Sequence, residues 1–379
     1  MMIIVYRPSV AESFVLLLFL LAIGIAATAM FRSRPAFAVR VVSYNVLSSH
    51  LASPSQFTTL DPEHLEASKR LPLVLKKIDE ELSSSLKTIV CLQEVSYDWA
   101  AAFHTWFSNR GYHLITGLYG KKFNGYMGVA LAYPVGAFET IDVDISRLSD
   151  KRVGGWPVEP GKTAVEALVS TITSVVSVPL KLAGFIKEPK EDHWAMSERR
   201  YNVLITATLR DKESGRSFSI GNYHMPCAYY MPMAMTIHAE MAARHVQSIS
   251  LSKNGIPFIL AGDWNITPNS ATYKMMTRGE LEKDDPSYPT PKHGMEWALE
   301  AAPMRSAYAE KGGEPNFTNY ARVREDDPFI DTLDYIFLSK EWNVEGVKPI
   351  VHRDIAGGPF PNAKQPSDHI LIYADLELE

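Results

Sequence analysis

Between Val39 and Glu379 the chain alternates short apolar, β-branched runs with turn residues. The runs are VRVVSYNVL from Val39, Thr88–Leu92, Val129–Tyr133, Tyr201–Leu209, Phe218–Tyr223, Pro257–Ala261, Leu333–Leu338 and Ile370–Leu376. Apolar runs of this length, closed by turn residues, predict strands. Three segments instead repeat their apolar residues with helical spacing: Leu65–Leu82, Trp99–Ser108 and Met235–Leu251. Many strands, few helices and no strict βαβ alternation predict a β-rich sandwich flanked by helices. No Gly/Ser linker, repeat or low-complexity tract interrupts the stretch, so residues 39–379 read as one domain.

Two segments depart from that pattern. Ser13–Phe31 is uncharged and apolar, and as a helix it spans about 28 Å, close to the hydrocarbon thickness of a bilayer. It reads as a signal-anchor helix, with residues 1–38 as anchor and linker. The alternative is a long signal peptide, since Ala36-Phe37-Ala38 has the small-x-small form of a cleavage site. Arg32, Arg34 and Arg40 follow the run, and the positive-inside tendency places the larger domain in the cytosol; cleavage would instead send it into the secretory pathway. The second segment, 141–197, reads as an insert: a polar loop, an amphipathic helix over Thr163–Val178 with a Ser/Thr polar face, and a Lys/Glu/Pro-rich exit.

Composition narrows the chemistry. With 46% hydrophobic and 21% charged residues the chain has material for a core, which excludes disorder. Two cysteines, Cys91 and Cys227, exclude a disulfide scaffold and offer no zinc cluster. The net charge of −5 means that a phosphate-bearing substrate must be caught by a local site rather than by a basic face. Candidates for that site stand at strand ends: Asn45, Glu94, His224, Asp263 with Asn265, Asp334, and Asp368 with His369. Strand ends on one rim of a sandwich converge on one patch. Glu94 and Asp368 are hard oxygen ligands suited to Mg²⁺ or Mn²⁺. No GxxxxGK[ST] loop and no GxSxG elbow is present, so the patch reads as metal-assisted hydrolysis of a phosphate ester by water.

The ordered set SYN, LQEV, NYH, GDWN, LDYIF and PSDH resembles the endonuclease/exonuclease/phosphatase superfamily over Val39 to Glu379. EPNFTNY, TLDYIFLS and RRYNVLITATL resemble its deadenylase/nocturnin/Angel branch. The resemblance implies a four-layer α/β sandwich of two packed mixed sheets with helices outside. It implies that Glu94 ligates Mg²⁺ (or Mn²⁺), with Asn45 and Asp368 ligating directly or through water. Asp263 then aligns or deprotonates the attacking water. Asn265 and His224 hold the scissile phosphate, and His369 donates to it, oriented by Asp334. Phe329 and Tyr229 occupy positions where the branch places an aromatic and a proline against an adenine base. The implied activity is a Mg²⁺-dependent phosphoesterase, a 3′-5′ exonuclease on RNA; the apolar Ser13–Phe31 run, outside the resemblance, is what would bind it to the membrane. The alternatives are a phosphatase or phosphodiesterase on a small phosphorylated molecule or lipid headgroup, and an inactive membrane adaptor.

Overall fold

The computed structural model describes residues 37–84, 87–160 and 192–378. Ser13–Phe31 and Thr163–Val178 lie outside the described residues, and among the described ones no helix is long and apolar enough to cross a membrane. The strands are β1 (Phe37–Asn45), β2 (Thr88–Val95), β3 (Tyr112–Leu118), β4 (Gly128–Pro134), β5 (Phe138–Arg147), β6 (Val203–Asp211), β7 (Ser217–His224), β8 (Phe258–Asp263), β9 (Arg305–Ser306), β10 (Asn319–Ala321), β11 (Phe329–Asp331), β12 (Asp334–Leu338), β13 (Asn343–Val347) and β14 (Ile372–Leu378). Two six-stranded sheets form, in the orders β13-β14-β1-β2-β4-β3 and β5-β6-β7-β8-β12-β9. Each is antiparallel except for one central parallel pair, β1–β2 in the first and β7–β8 in the second. The ribbon β10–β11 stands apart from both.

Period-two alternation explains the layers. In β1, Val39 and Val41 point between the sheets, where they meet Ile205, Ile220, Ile259 and Ile336 of the second sheet. Val42 and Tyr44 point the other way, onto Val74 and Ile78 of the helix Ala67–Ser84 and Phe103 of the helix Tyr97–Ser108. On the far side, Leu204, Leu260 and Phe337 pack against Ile237, Met241 and Val246 of the helix Pro232–Ser252. Helix, sheet, sheet and helix give the four-layer α/β sandwich.

The stretch from 141 is not a loop. β5 pairs with β6 from Phe138↔Asp211 to Arg147↔Val203, with one register shift between Thr140 and Asp142. Its polar look comes from its place at the sheet edge. Ile141, Val143 and Ile145 stay 38, 36 and 50% exposed, while Asp142 pairs with Lys253 and Asp144 with His245 and Lys151. Charge on an edge strand also discourages pairing with another chain. At the other end of the segment, the helix His193–Glu198 is capped by Asp192 and buries Trp194 against the outer helices.

His238, on the helix Pro232–Ser252, is buried between the Tyr223 hydroxyl at 3.0 Å and the Ser197 carbonyl at 3.1 Å. Both contacts suit a neutral ring that donates from Nε2 and accepts at Nδ1. Burial pushes its pKa down to about 4, with Arg200 and Arg147 adding to the effect against the Ser197 hydrogen bond. The unfolded ring titrates near 6.5, so this stability is present above that pH and is lost as pH falls through about 4. The loss amounts to about 3 kcal/mol at most. His238→Gln should therefore flatten the fall in urea-unfolding free energy between pH 7 and 4.5. Equal acid slopes for the two proteins would refute this.

Candidate active site

Register brings the predicted residues together. His224 ends β7 opposite Asp263 at the end of β8, and Asp334 opens β12 opposite the same Asp263. Gly262 lets β7 and β8 run this close: its φ is +149°, and a side chain there would run into the Tyr223 carbonyl. In the other sheet, Asn45 ends β1 opposite Gln93, one residue before Glu94. Glu94 and Asn265 have φ of +58° and +49°, and Leu47 near them has +51°. Such backbones cost a non-glycine residue on the order of 1–3 kcal/mol and gather where a side chain must be aimed.

Asn45 links the two sheets. Its Nδ2 donates to Asp263 Oδ2 at 2.9 Å and to Glu94 Oε1 at 3.3 Å, while its Oδ1 accepts from Leu47 N at 2.9 Å. Glu94 Oε2 accepts from Ser48 N at 2.9 Å. Asp263 Oδ1 accepts from Asn265 N at 3.0 Å, and Asn265 Nδ2 donates to the Met225 carbonyl at 3.0 Å. Two imidazoles flank Asp263 Oδ2: His224 Nε2 at 3.5 Å and His369 Nε2 at 3.6 Å. These separations are too long for direct hydrogen bonds.

Each imidazole is held from behind. His369 Nδ1 lies 2.8 Å from Asp334 Oδ2, which also accepts from Thr318 Oγ1 at 2.6 Å. Burial opposes a charge on His369, but Asp334 and Asp263 outweigh it and hold its pKa well above the ordinary value. Asp334 Oδ2 thus takes a hydroxyl and a charged ring, while its Oδ1 is buried without a partner. His224 Nδ1 lies 3.0 Å from the Tyr119 hydroxyl, which lies 3.4 Å from Asn202 Nδ2. With Asn202 donating to the phenol, the phenol donates to Nδ1, which leaves Nε2 as the ring's donor atom, facing Asp263. Asn202 also donates to the His224 carbonyl at 2.8 Å. Burial, then Glu94 and Asp263, raise the Tyr119 pKa well above its usual range, so the phenol keeps its proton.

Asp368 is less directly engaged. Its carbonyl accepts from Tyr320 N at 2.8 Å, and no hydrogen bond joins its carboxylate to Asn45 or Glu94. Burial raises its pKa, and His369 and Arg70 oppose that rise. Arg70 is itself buried, donating to the carbonyls of Val46, Leu47 and Pro366, which fixes the loops after β1 and before Asp368. Phe329 and Tyr229 make no hydrogen bond or ring contact with the cluster among the described residues. Phe329 is 45% exposed on β11, and Tyr229 is 78% exposed and packs edge-on against Tyr230. Tyr119, Asn202, Thr318 and Arg70 belong to the site's supports; Asn202 and Thr318 lie within the RRYNVLITATL and EPNFTNY segments, while Tyr119 and Arg70 carry no motif of their own.

Asp263, Asp334 and His369 bring ligand atoms within 4.8 Å of one another. The short Asp334–His369 bond and the charged ring make this trio a hydrogen-bonded relay rather than a cation cage. The donor set around Asn45 fits a hard cation better: Glu94 and Asp263 share one amide group, and Glu94 makes no ion pair among the described residues.

Residues 42–369 match the Endonuclease/Exonuclease/phosphatase family. Human 2′,5′-phosphodiesterase 12 is 25% identical over 354 residues, covering 89% of this chain and 51% of that protein. The CCR4-Not complex 3′-5′-exoribonuclease subunit Ccr4 of Aspergillus oryzae is 25% identical over 363 residues, covering 89% of this chain and 47% of its own length. The chain thus spans about half the length of these curated relatives. Among solved structures, that of ANGEL2, a 2′,3′-cyclic phosphatase, in complex with adenosine-2′,3′-vanadate superposes with a TM-score of 0.64 at 18% identity, covering 90% of this chain and 96% of the other. The human nocturnin catalytic domain with bound sulfate gives 0.57 at 20% identity, covering 91% and 96%. At these identities the structural likeness concerns the fold.

Proposed function

We propose that this chain, which belongs to the Endonuclease/Exonuclease/phosphatase family, is a divalent-metal-dependent phosphoesterase that removes nucleotides from the 3′ end of RNA. The observation that carries the reading is Asp263, a buried carboxylate at a strand end with two separately braced imidazoles on either side of one oxygen. The gaps of 3.5 and 3.6 Å leave both Nε2 atoms without a direct hydrogen bond to Asp263 and so available to a phosphoryl group. Asp263 orients a water and takes its proton as the water oxygen bonds to phosphorus and the P–O bond to the 3′ oxygen of the shortened chain breaks, that oxygen taking a proton from solvent. His224, His369 and the second amide hydrogen of Asn265 donate to the phosphoryl oxygens, whose negative charge grows in the transition state. Glu94, with Asn45 and Asp368 beside it, would hold a Mg²⁺ or Mn²⁺ ion, which would supply further positive charge to those oxygens when bound. None of these groups needs reorganising, because Thr318, Tyr119 and Asn202 already fix the two rings.

The choice of RNA draws on the relatives, one a 3′-5′-exoribonuclease subunit and another a 2′,5′-phosphodiesterase. The net charge of −5 favours a second reading, hydrolysis of a small phosphorylated molecule or lipid headgroup, which needs no basic track. A panel with Mg²⁺ separates them: oligoadenylate, mixed-sequence RNA, 2′,5′-linked oligoadenylate and phosphorylated small molecules. Stepwise release of nucleotides from the 3′ end of RNA is expected. Phosphate release from the small molecules with RNA left intact would overturn the RNA reading in favour of the second.

A further inference from the structure

A cavity of about 650 Å³ opens between the helix Ala67–Ser84 and the segments 348–351 and 355–365. Its volume falls in the range of small-molecule sites, roughly 300–1,000 Å³. Its apolar lining includes the buried side chains of Phe317, Phe360 and Leu371, with Ile350. Its charged lining includes Lys77, Lys348 and Lys364 together with Glu80 and Glu81. Those charges are not evenly matched. Glu81 is taken by both Lys348 and Arg40. Lys77, half-buried on its helix, makes no hydrogen bond or ion pair among the described residues. Burial lowers its pKa, with Lys348 adding to that and Glu80 opposing it. An ammonium drawn partly out of water without a hydrogen-bonded counter-ion is unfavourable, and an anion in contact with it would offset that cost.

We propose that this cavity is a second ligand site, for a small molecule that carries one anionic group on an apolar body. The anion lies against Lys77 and Lys364, and the body against Phe317, Phe360 and Leu371. None of the catalytic cluster lines the cavity, so the site is separate from the reaction centre. It does back onto the segment that carries His369. Gln365, in the cavity wall, donates to the His369 carbonyl at 2.8 Å, and Ile370 N donates to the Thr318 carbonyl at 2.7 Å. The ligand chemistry has two sources, a nucleoside monophosphate or an alkyl phosphate of lipid type.

Isothermal titration of the full chain with decyl phosphate, adenosine monophosphate and inorganic phosphate tests the proposal. Decyl phosphate or the nucleotide should bind at one site, more tightly than inorganic phosphate. Which of the two binds identifies the source. Lys77→Met should weaken that binding at least tenfold, Lys77→Arg should retain it, and Asp263→Asn should leave it unchanged. Three results would overturn the proposal: no binding of either compound at millimolar concentration, binding indifferent to Lys77→Met, or binding lost in Asp263→Asn. Lys77→Met without ligand should hydrolyse substrate at the wild-type rate. Failure of the phosphoesterase reading would show in the substrate panel and leave this titration standing.

Discussion

Replacing Glu94 by Gln is expected to leave a folded protein with no measurable turnover. The side chain keeps its length, and both ends of its hydrogen-bond environment survive in part, since an amide oxygen can still accept from Ser48 N. What disappears is one negative charge beside Asp263 and Asn45. The folded state gains from that loss, because two carboxylates no longer share one amide. The thermal midpoint should hold or rise. The reaction does not gain. Removing the main charged ligand of a divalent ion forfeits several kcal/mol of charge stabilisation, which corresponds to a rate loss of about a thousandfold or more. Single-turnover rates across a Mg²⁺ titration decide the matter. A variant that matches the wild-type rate at saturating Mg²⁺ would remove Glu94 from the metal site.

Sequence carried the site further than its surroundings. The polar residues Asn45, Glu94, His224, Asp263 and Asp334 could be placed because each closes or opens an apolar run, and strand ends are fixed points of a sandwich. Pairing then did the rest: His224 and Asp334 both face Asp263 because β7, β8 and β12 are neighbours in the second sheet. What pattern alone does not show is which polar residues in loops and helices reach back to brace the site. Arg70 sits on an amphipathic helix, where an arginine reads as solvated charge, yet it is buried on three backbone carbonyls. Tyr119 and Asn202 lie 83 positions apart and meet only because the loop after β3 folds over the start of β6. β5 was legible in principle from its Ile141, Val143 and Ile145 alternation, but its acidic partners at 142 and 144 make it look like a loop. An ion pair with Lys253 and a hydrogen bond with His245 satisfy those acids, and such long-range partners leave no local signature.

Asp334→Asn is the second substitution with a large expected effect, and its reach is through His369 rather than through the substrate. In the native site the carboxylate accepts hydrogen bonds from His369 Nδ1 at 2.8 Å and from the Thr318 hydroxyl at 2.6 Å. An asparagine keeps the shape and can still accept one of these bonds with its oxygen. It cannot stabilise a charged imidazole, and its amide group can face the ring with the wrong polarity. Burial already works against charge on His369, with Asp334 the largest influence holding it protonated. Without that carboxylate the pKa of the ring falls. The sign follows: a group that must carry its proton is active below its pKa, so the basic limb of the pH–rate profile should move to lower pH. At neutral pH kcat should drop by about a hundredfold or more, the size of a lost general acid–base or oxyanion donor. KM should change little, because His224 and Asn265 still meet the phosphate and Glu94 keeps its place at the metal. Thr318→Val provides the comparison. It removes the hydroxyl that donates to the same Asp334 oxygen but leaves the carboxylate charge, so it should lower kcat less and leave the basic limb in place. An unmoved profile for Asp334→Asn, or equal shifts in both variants, would show that the pair serves packing and not the charge on His369.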